Sequence, residues 1–200
     1  MRKKWVMSVS AVVLATSLVL AAAPANAGEV VSTNSTSGQE VVEHVLAGVD
    51  QSTKTFDGAA AIAAGATQQD IDEFAAGYVA AGGSATNVVI PQRAVDELRG
   101  LAGDVRACSG RNSADITGLQ ANLYLDSCNA NRIVAALGGG AGVAALVGII
   151  TAATGVGGAA GGIAAALLTI GTAAVAYCAA NGRGIGFHVL VVGPPWCASQ

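Results

Sequence analysis

Fifty consecutive residues, Ile133 to Gly182, carry no charged side chain. A helix that is apolar all round has no face to offer water, so such a run is either buried in protein or placed in lipid. The turn-like cluster Thr154–Gly158 (TGVGG) divides it into two apolar segments. Each is long enough for a helix of about 30 Å, comparable with the hydrocarbon core of a bilayer. The expectation is a helical hairpin over residues 132–182. Its glycines fall into three small-xxx-small pairs, Gly138/Gly142, Gly157/Gly161 and Gly158/Gly162. This spacing lets helix backbones approach closely, although Ala/Gly richness alone also produces it. Arg132 and Arg183 flank the hairpin, placed to meet lipid phosphates on the side of entry. The segments are only moderately hydrophobic: eight of the twenty residues from Ile133 to Ala152 are Ile, Leu or Val. A hairpin of this kind is suited to pass through export machinery and to insert later from outside.

The N-terminus has the layout of a secretory signal peptide over residues 1–27. Arg2, Lys3 and Lys4 form a cationic start, Val6 to Ala23 an apolar core, and Ala25-Asn26-Ala27 a small-residue cleavage site. A membrane anchor is the alternative. The expected location is extracellular, after cleavage near Ala27. From Gly28 onward the chain holds thirteen acidic and seven basic residues, a net charge of −6. The balance is −8 up to Asp126 and +2 after it, which marks two regions with different roles.

Residues 28–38 read as a polar linker, and residues 39–131 as an acidic region of amphipathic helices. Val41, Val42, Val45, Leu46 and Val49 recur at helical spacing. Thr67 and Asp70 form a capping-box pattern ahead of Ile71, Phe74, Ala75, Tyr78 and Val79, and Gly82-Gly83 closes that helix. Pro91 opens a third, with Val95, Leu98, Ala102 and Val105 on one side. A fourth is expected from Ser113, with Ile116, Leu119 and Leu123 inward. Each is too short to be stable alone and needs an apolar partner, which the charge-free stretch supplies. The fold class expected is mainly α: amphipathic helices packed around the apolar hairpin, with a short extended strand near the end.

Cys108, Cys128, Cys178 and Cys197 make an even count, which in an exported chain argues for two disulfides. Proximity favours Cys108–Cys128 and Cys178–Cys197; metal ligation is the rival, and the spacings are not C-x-x-C. Residues 183–200 then form a disulfide-tethered tail, in which the β-branched run IGFHVLVVG reads as a strand that Pro194-Pro195 stops. His188 reads as a polar surface position and His44 as an exposed helix neighbour.

Several functions find no support. No basic patch is present to neutralise phosphates, so nucleic acid is not an expected partner. Gly155, Gly157 and Ala160 fall in a G-x-G-x-x-A pattern, but no acidic residue follows Asp126 to hold a ribose; no cofactor is expected. There is no G-x-S-x-G or H-E-x-x-H motif, and a non-enzyme is expected.

The signal peptide, the Ala/Gly-rich hairpin and a tail of the form NGRGI…GPPWC…Q resemble small secreted proteins of Gram-positive bacteria. The layout is also similar to bacteriocins and pore-forming polypeptides, which keep an apolar hairpin covered until it meets a membrane. That resemblance implies a membrane-active protein with a lipid bilayer as partner, and cleavage after Arg132 would release a cationic apolar fragment. The acidic half departs from cationic bacteriocins. The alternative is a secreted helical module, structural or binding an unknown protein partner, whose hairpin is only its core.

Overall fold

The computed structural model describes residues 35–100, 108–190 and 192–200. The expected signal peptide, the expected linker up to residue 34, and Ala102 and Val105 of the third expected helix lie outside the described residues; residues 35–38 of that expected linker belong instead to the first turn of a helix. In chain order the elements are α1 (Ser35–Leu46), β1 (Val49–Asp50), β2 (Thr55–Asp57), α2 (Gly58–Ala64), α3 (Gln68–Ala80), β3 (Ser84–Thr86) and α4 (Gln92–Gly100). They continue with β4 (Ser113–Thr117), β5 (Gln120–Leu125), α5 (Ser127–Gly138), α6 (Val143–Thr154), α7 (Ala160–Ala179), β6 (Ile185–Leu190) and β7 (Trp196–Ser199). The expected mainly-α class is therefore wrong: the described residues hold seven helices and two sheets, a mixed α/β architecture.

The core is built on α3 and α6. The Thr67 hydroxyl accepts from the Asp70 backbone N–H at 3.2 Å while the Asp70 carboxylate accepts from Thr67, which closes the capping box and starts α3. Ile71, Phe74, Ala75 and Tyr78 turn inward, and Phe74 packs between Phe56 of β2, tilted at 4.6 Å, and Tyr78, stacked at 5.5 Å. Against this face lies α6, nine of whose twelve residues are buried. The two helices cross at Gly77 and Gly148. A Cβ at Gly77 would run into the Ala145 carbonyl, and one at Gly148 into the Phe74 carbonyl. The acidic half thus covers the charge-free half through two missing side chains.

The uncharged stretch is not a hairpin of two long helices. Asp126 caps α5, its carboxylate accepting from the Asn129 N–H at 2.8 Å, and the helix runs through Ile133 to Gly138. The glycines at 138–140 then end it, with Gly140 at φ +74°, a left-handed conformation that favours glycine. Helix α6 restarts at Val143 and spans about 18 Å. Helix α7 is broken at Gly171 (φ 78°, ψ 167°), between Leu167 and Val175 on its inner side. Within the stretch Gly140, Gly155 and Gly171 end or break helices, whereas Gly148 and Gly161 give close packing on α3 and α1.

The fourth expected helix is a β-hairpin. Ala121, Leu123 and Leu125 alternate with Gln120, Asn122 and Tyr124, a period of two that overrides the apparent helical spacing of Ile116, Leu119 and Leu123. Thr117 pairs with Gln120 across the two-residue turn Gly118-Leu119, and Gly118 sits at φ +61°, as such a turn requires. Of the three residues expected inward, Leu123 is buried, whereas Ile116 and Leu119 are exposed. The strands β4-β5-β6-β7 form an antiparallel meander. A smaller sheet, β1-β2-β3, flanks α2 and α3.

Candidate functional site

Alternation along the four-stranded sheet decides which residues can act. Leu123, Leu125, Ile185 and Phe187 fill the inner face. The register sets Asp115, Asn122, His188 and Trp196 in one row on the outer face, with Tyr124 and Gln120 in the flanking rows. This face carries an ordered set of rings and amides, with Trp196 exposed at its edge.

The rings form a ladder across the strands. Trp196 stacks on His188 with centroids 3.9 Å apart and planes 22° from parallel, and Tyr124 meets His188 edge-on at 5.9 Å. The Arg111 guanidinium lies 4.2 Å above the Tyr124 ring. Beside the ladder, Asn122 is buried although its strand position faces outward. Its amide donates to Asp115 at 2.7 Å and to Thr117 at 3.4 Å, and its carbonyl lies 2.7 Å from His188 Nδ1. Gln120 Nε2 is 2.9 Å from the same Nδ1. The Asn122 amide, and then the Thr117 hydroxyl, hold the Asp115 carboxyl below its usual range. Burial lowers the His188 pKa, and Asp115 opposes that only in part.

These positions predict a pH response. A neutral His188 can accept the Gln120 amide at Nδ1; protonation puts a donor there, so that the imidazolium and the Gln120 amide, which already donates to the Asn122 carbonyl, must share that one oxygen. Because the folded state holds the imidazole pKa below its unfolded value of about 6.5, the unfolded chain binds more protons, and stability falls as pH drops below that value. The thermal midpoint is expected to be flat above about pH 6.5 and to decline below it, followed by a second decline below the ordinary carboxylate range as Asp115, Asp50 and Asp57, all held low by hydrogen bonds, protonate. His188→Asn should abolish the first inflection and keep the second. Differential scanning calorimetry between pH 8 and pH 3 checks both.

The residues singled out in sequence occupy other places. Both expected disulfides are present, Cys108–Cys128 and Cys178–Cys197, with Cα separations of 5.3 and 6.0 Å; paired in this way the sulfurs are not thiolate ligands. Arg132 is half-buried in α5, where Nη1 donates to Asn129 at 2.7 Å and Nε has no partner among the described residues. Its burial, opposed by Asp126, lowers its pKa. Arg183 is exposed beyond α7. Of the six glycines, Gly161 packs closely on a helix outside the expected hairpin, α1, through Val42. Gly142 faces the Glu73 carboxylate and Gly138 lies near Thr172, while Gly157 faces Gln51 and Leu46. Gly158 and Gly162 border open space.

The ring ladder is not legible locally, because Tyr124 and His188 are 64 residues apart in the chain and only strand register joins them. The local signal for it is the alternation in QANLYL and IGFHVL, which fits two paired strands.

Comparisons with protein-family models, with curated proteins and with solved structures find no match.

Proposed function

We propose that this chain is an exported, non-catalytic binding module in which α5, α6 and α7 are scaffold and the four-stranded sheet is the recognition surface. One observation carries the reading: α6, the centre of the expected inserting hairpin, is the buried core against which α3 packs. Removing it for insertion would strip the apolar face of α3 as well as its own. Two disulfides are compatible with an extracellular location, and the reading takes the first 27 residues as a cleaved signal peptide. The polar atoms beside His188 are largely engaged with one another, which suits an ordered contact surface better than proton transfer to a substrate. With the acidic balance of the chain, nucleic acid is not proposed as a partner.

The membrane-active reading retains one supporting observation. Helix α7 is twenty residues long, has a mean hydropathy of 1.8 and is one-third buried, with Ala165, Leu168, Thr169, Ala173 and Tyr177 on its exposed side. Its use as a span would require the break at Gly171 to straighten. A dye-release assay on anionic liposomes separates the readings. The intact chain, recovered from the medium of an exporting host, is expected to release no dye above background. Rapid release at sub-micromolar protein would overturn the module reading in favour of insertion.

A further inference from the structure

The meander places both tight connections of the larger sheet at one end. The β4–β5 turn at Gly118-Leu119 and residues 192–195 of the β6–β7 connection lie at the same end of the sheet, because Gln120 pairs with Leu190 in the register of β5 and β6. Nine large hydrophobic side chains are exposed among the described residues, and five of them gather here. They are Ile116 (72 % exposed), Leu119 (73 %), Leu190 (37 %), Val192 (86 %) and Trp196 (48 %). Leu119 and Val192 project from the connections themselves. By strand alternation Ile116 belongs to the inner face and Leu190 and Trp196 to the outer, so the apolar groups ring the end of the sheet.

We propose that this end of the sheet is a shallow docking surface for the interfacial region of a lipid bilayer. The inference rests on the module reading above and names its partner. Three features favour lipid over a protein. First, the segments are uncharged: no Asp, Glu, Lys or Arg occurs from Ile116 to Leu125 or from Gly184 to Gln200. The nearest carboxylate, Asp115, is engaged by Asn122 and Thr117. Second, the surface is small. A stable protein interface uses about 20–30 residues a side with matched shape, whereas two adjacent turn tips offer five large apolar groups; a fluid bilayer needs no matched shape. Third, Trp196 sits at the border, its ring stacked on His188, and an indole with its polar N–H is the side chain that settles at headgroup level. The site is ordered in advance by the Gly118 turn and by the disulfide at Cys197, so docking loses little chain entropy.

The test uses the exported full chain carrying Trp5→Phe, so that Trp196 is the sole tryptophan whatever the N-terminus. Vesicles of phosphatidylcholine alone, and with one-third phosphatidylglycerol, are the probes. Expected are co-sedimentation with both compositions, little dependence on salt up to 0.5 M, a blue shift of Trp196 emission, and no dye release. The double variant Ile116→Ser/Val192→Ser changes two exposed groups and should leave the circular dichroism and the urea midpoint unchanged. Its partitioning should fall about 100-fold, roughly tenfold for each apolar side chain withdrawn from lipid. No co-sedimentation with either vesicle overturns the proposal and leaves the module reading with a protein or other partner. Co-sedimentation undiminished in the double variant also overturns it, because the exposed side of α7 would then be the contact. Dye release from the unaltered chain overturns the module reading itself.

Discussion

Gly148→Ala should destabilise the protein by about 3 kcal/mol, the upper part of the range for overpacking a filled core. The sign is what makes the result informative. In a solvated helix the same change stabilises, by up to about 1 kcal/mol, because alanine loses less backbone entropy than glycine. At Gly148 the new Cβ would meet the Phe74 carbonyl and lie 2.9 Å from the Tyr78 backbone nitrogen, both parts of α3 that cannot move without disturbing the Phe56–Phe74–Tyr78 stack. Gly77→Ala presses on the Ala145 carbonyl from the other side and should behave alike. Gly162→Ala is the control: it lies in α7, is exposed and has open space where its Cβ would sit, so it should be neutral or slightly stabilising. Urea unfolding at 25 °C measures all three. If Gly148→Ala were as mild as Gly162→Ala, α3 and α6 would not cross as described.

Loss of the Cys178–Cys197 bridge, by the paired change to serine, should cost about 3 kcal/mol, the value the chain-entropy picture assigns to a closed loop of this length. The bridge spans 19 residues and joins the end of α7 to β7, which lies at the edge of the sheet and pairs only with β6. Without it the strand retains four register pairs and the Gln200 side chain, whose amide donates to the Leu125 carbonyl at 2.7 Å and to the Ile185 carbonyl at 3.1 Å. Local opening should therefore be concentrated at Trp196, the end of β7 farther from Gln200. The expected signature beyond lower stability is a red shift of Trp196 emission and faster amide exchange in β7, with exchange in α3 and α6 slowed or hastened only as global stability changes. Equal loss of protection throughout would mean that the bridge supports the whole fold and not this strand.

Legibility in the sequence followed the range of each interaction. The Thr67–Asp70 cap spans one helical turn, and it formed as its spacing predicts. Both disulfides join cysteines about 20 residues apart and matched the proximity argument. The β-branched run at Ile185–Leu190 is a strand. Errors arose where two periods fit the same residues. Ile116, Leu119 and Leu123 suit a helix, yet the flanking Ala121, Leu123 and Leu125 suit a strand, and partners in β6 decided the matter by pairing with β5. The glycines at 138–142 were read as one side of a helix interface, although consecutive glycines also end helices, and here they do.

The charge-free stretch by its composition alone called for an apolar partner over part of its length, since it holds no charged side chain and few polar ones, and the cysteine spacing set how the chain is stapled. What buries α6 was settled by packing. Gly77 and Gly148 let α3 lie on α6, a contact between residues about 70 positions apart that no local pattern encodes. The outer-face ladder of Arg111, Tyr124, His188 and Trp196 arose in the same way. A strand's alternation states that one face is polar and one apolar, but only pairing with particular neighbours determines which side chains stand next to one another.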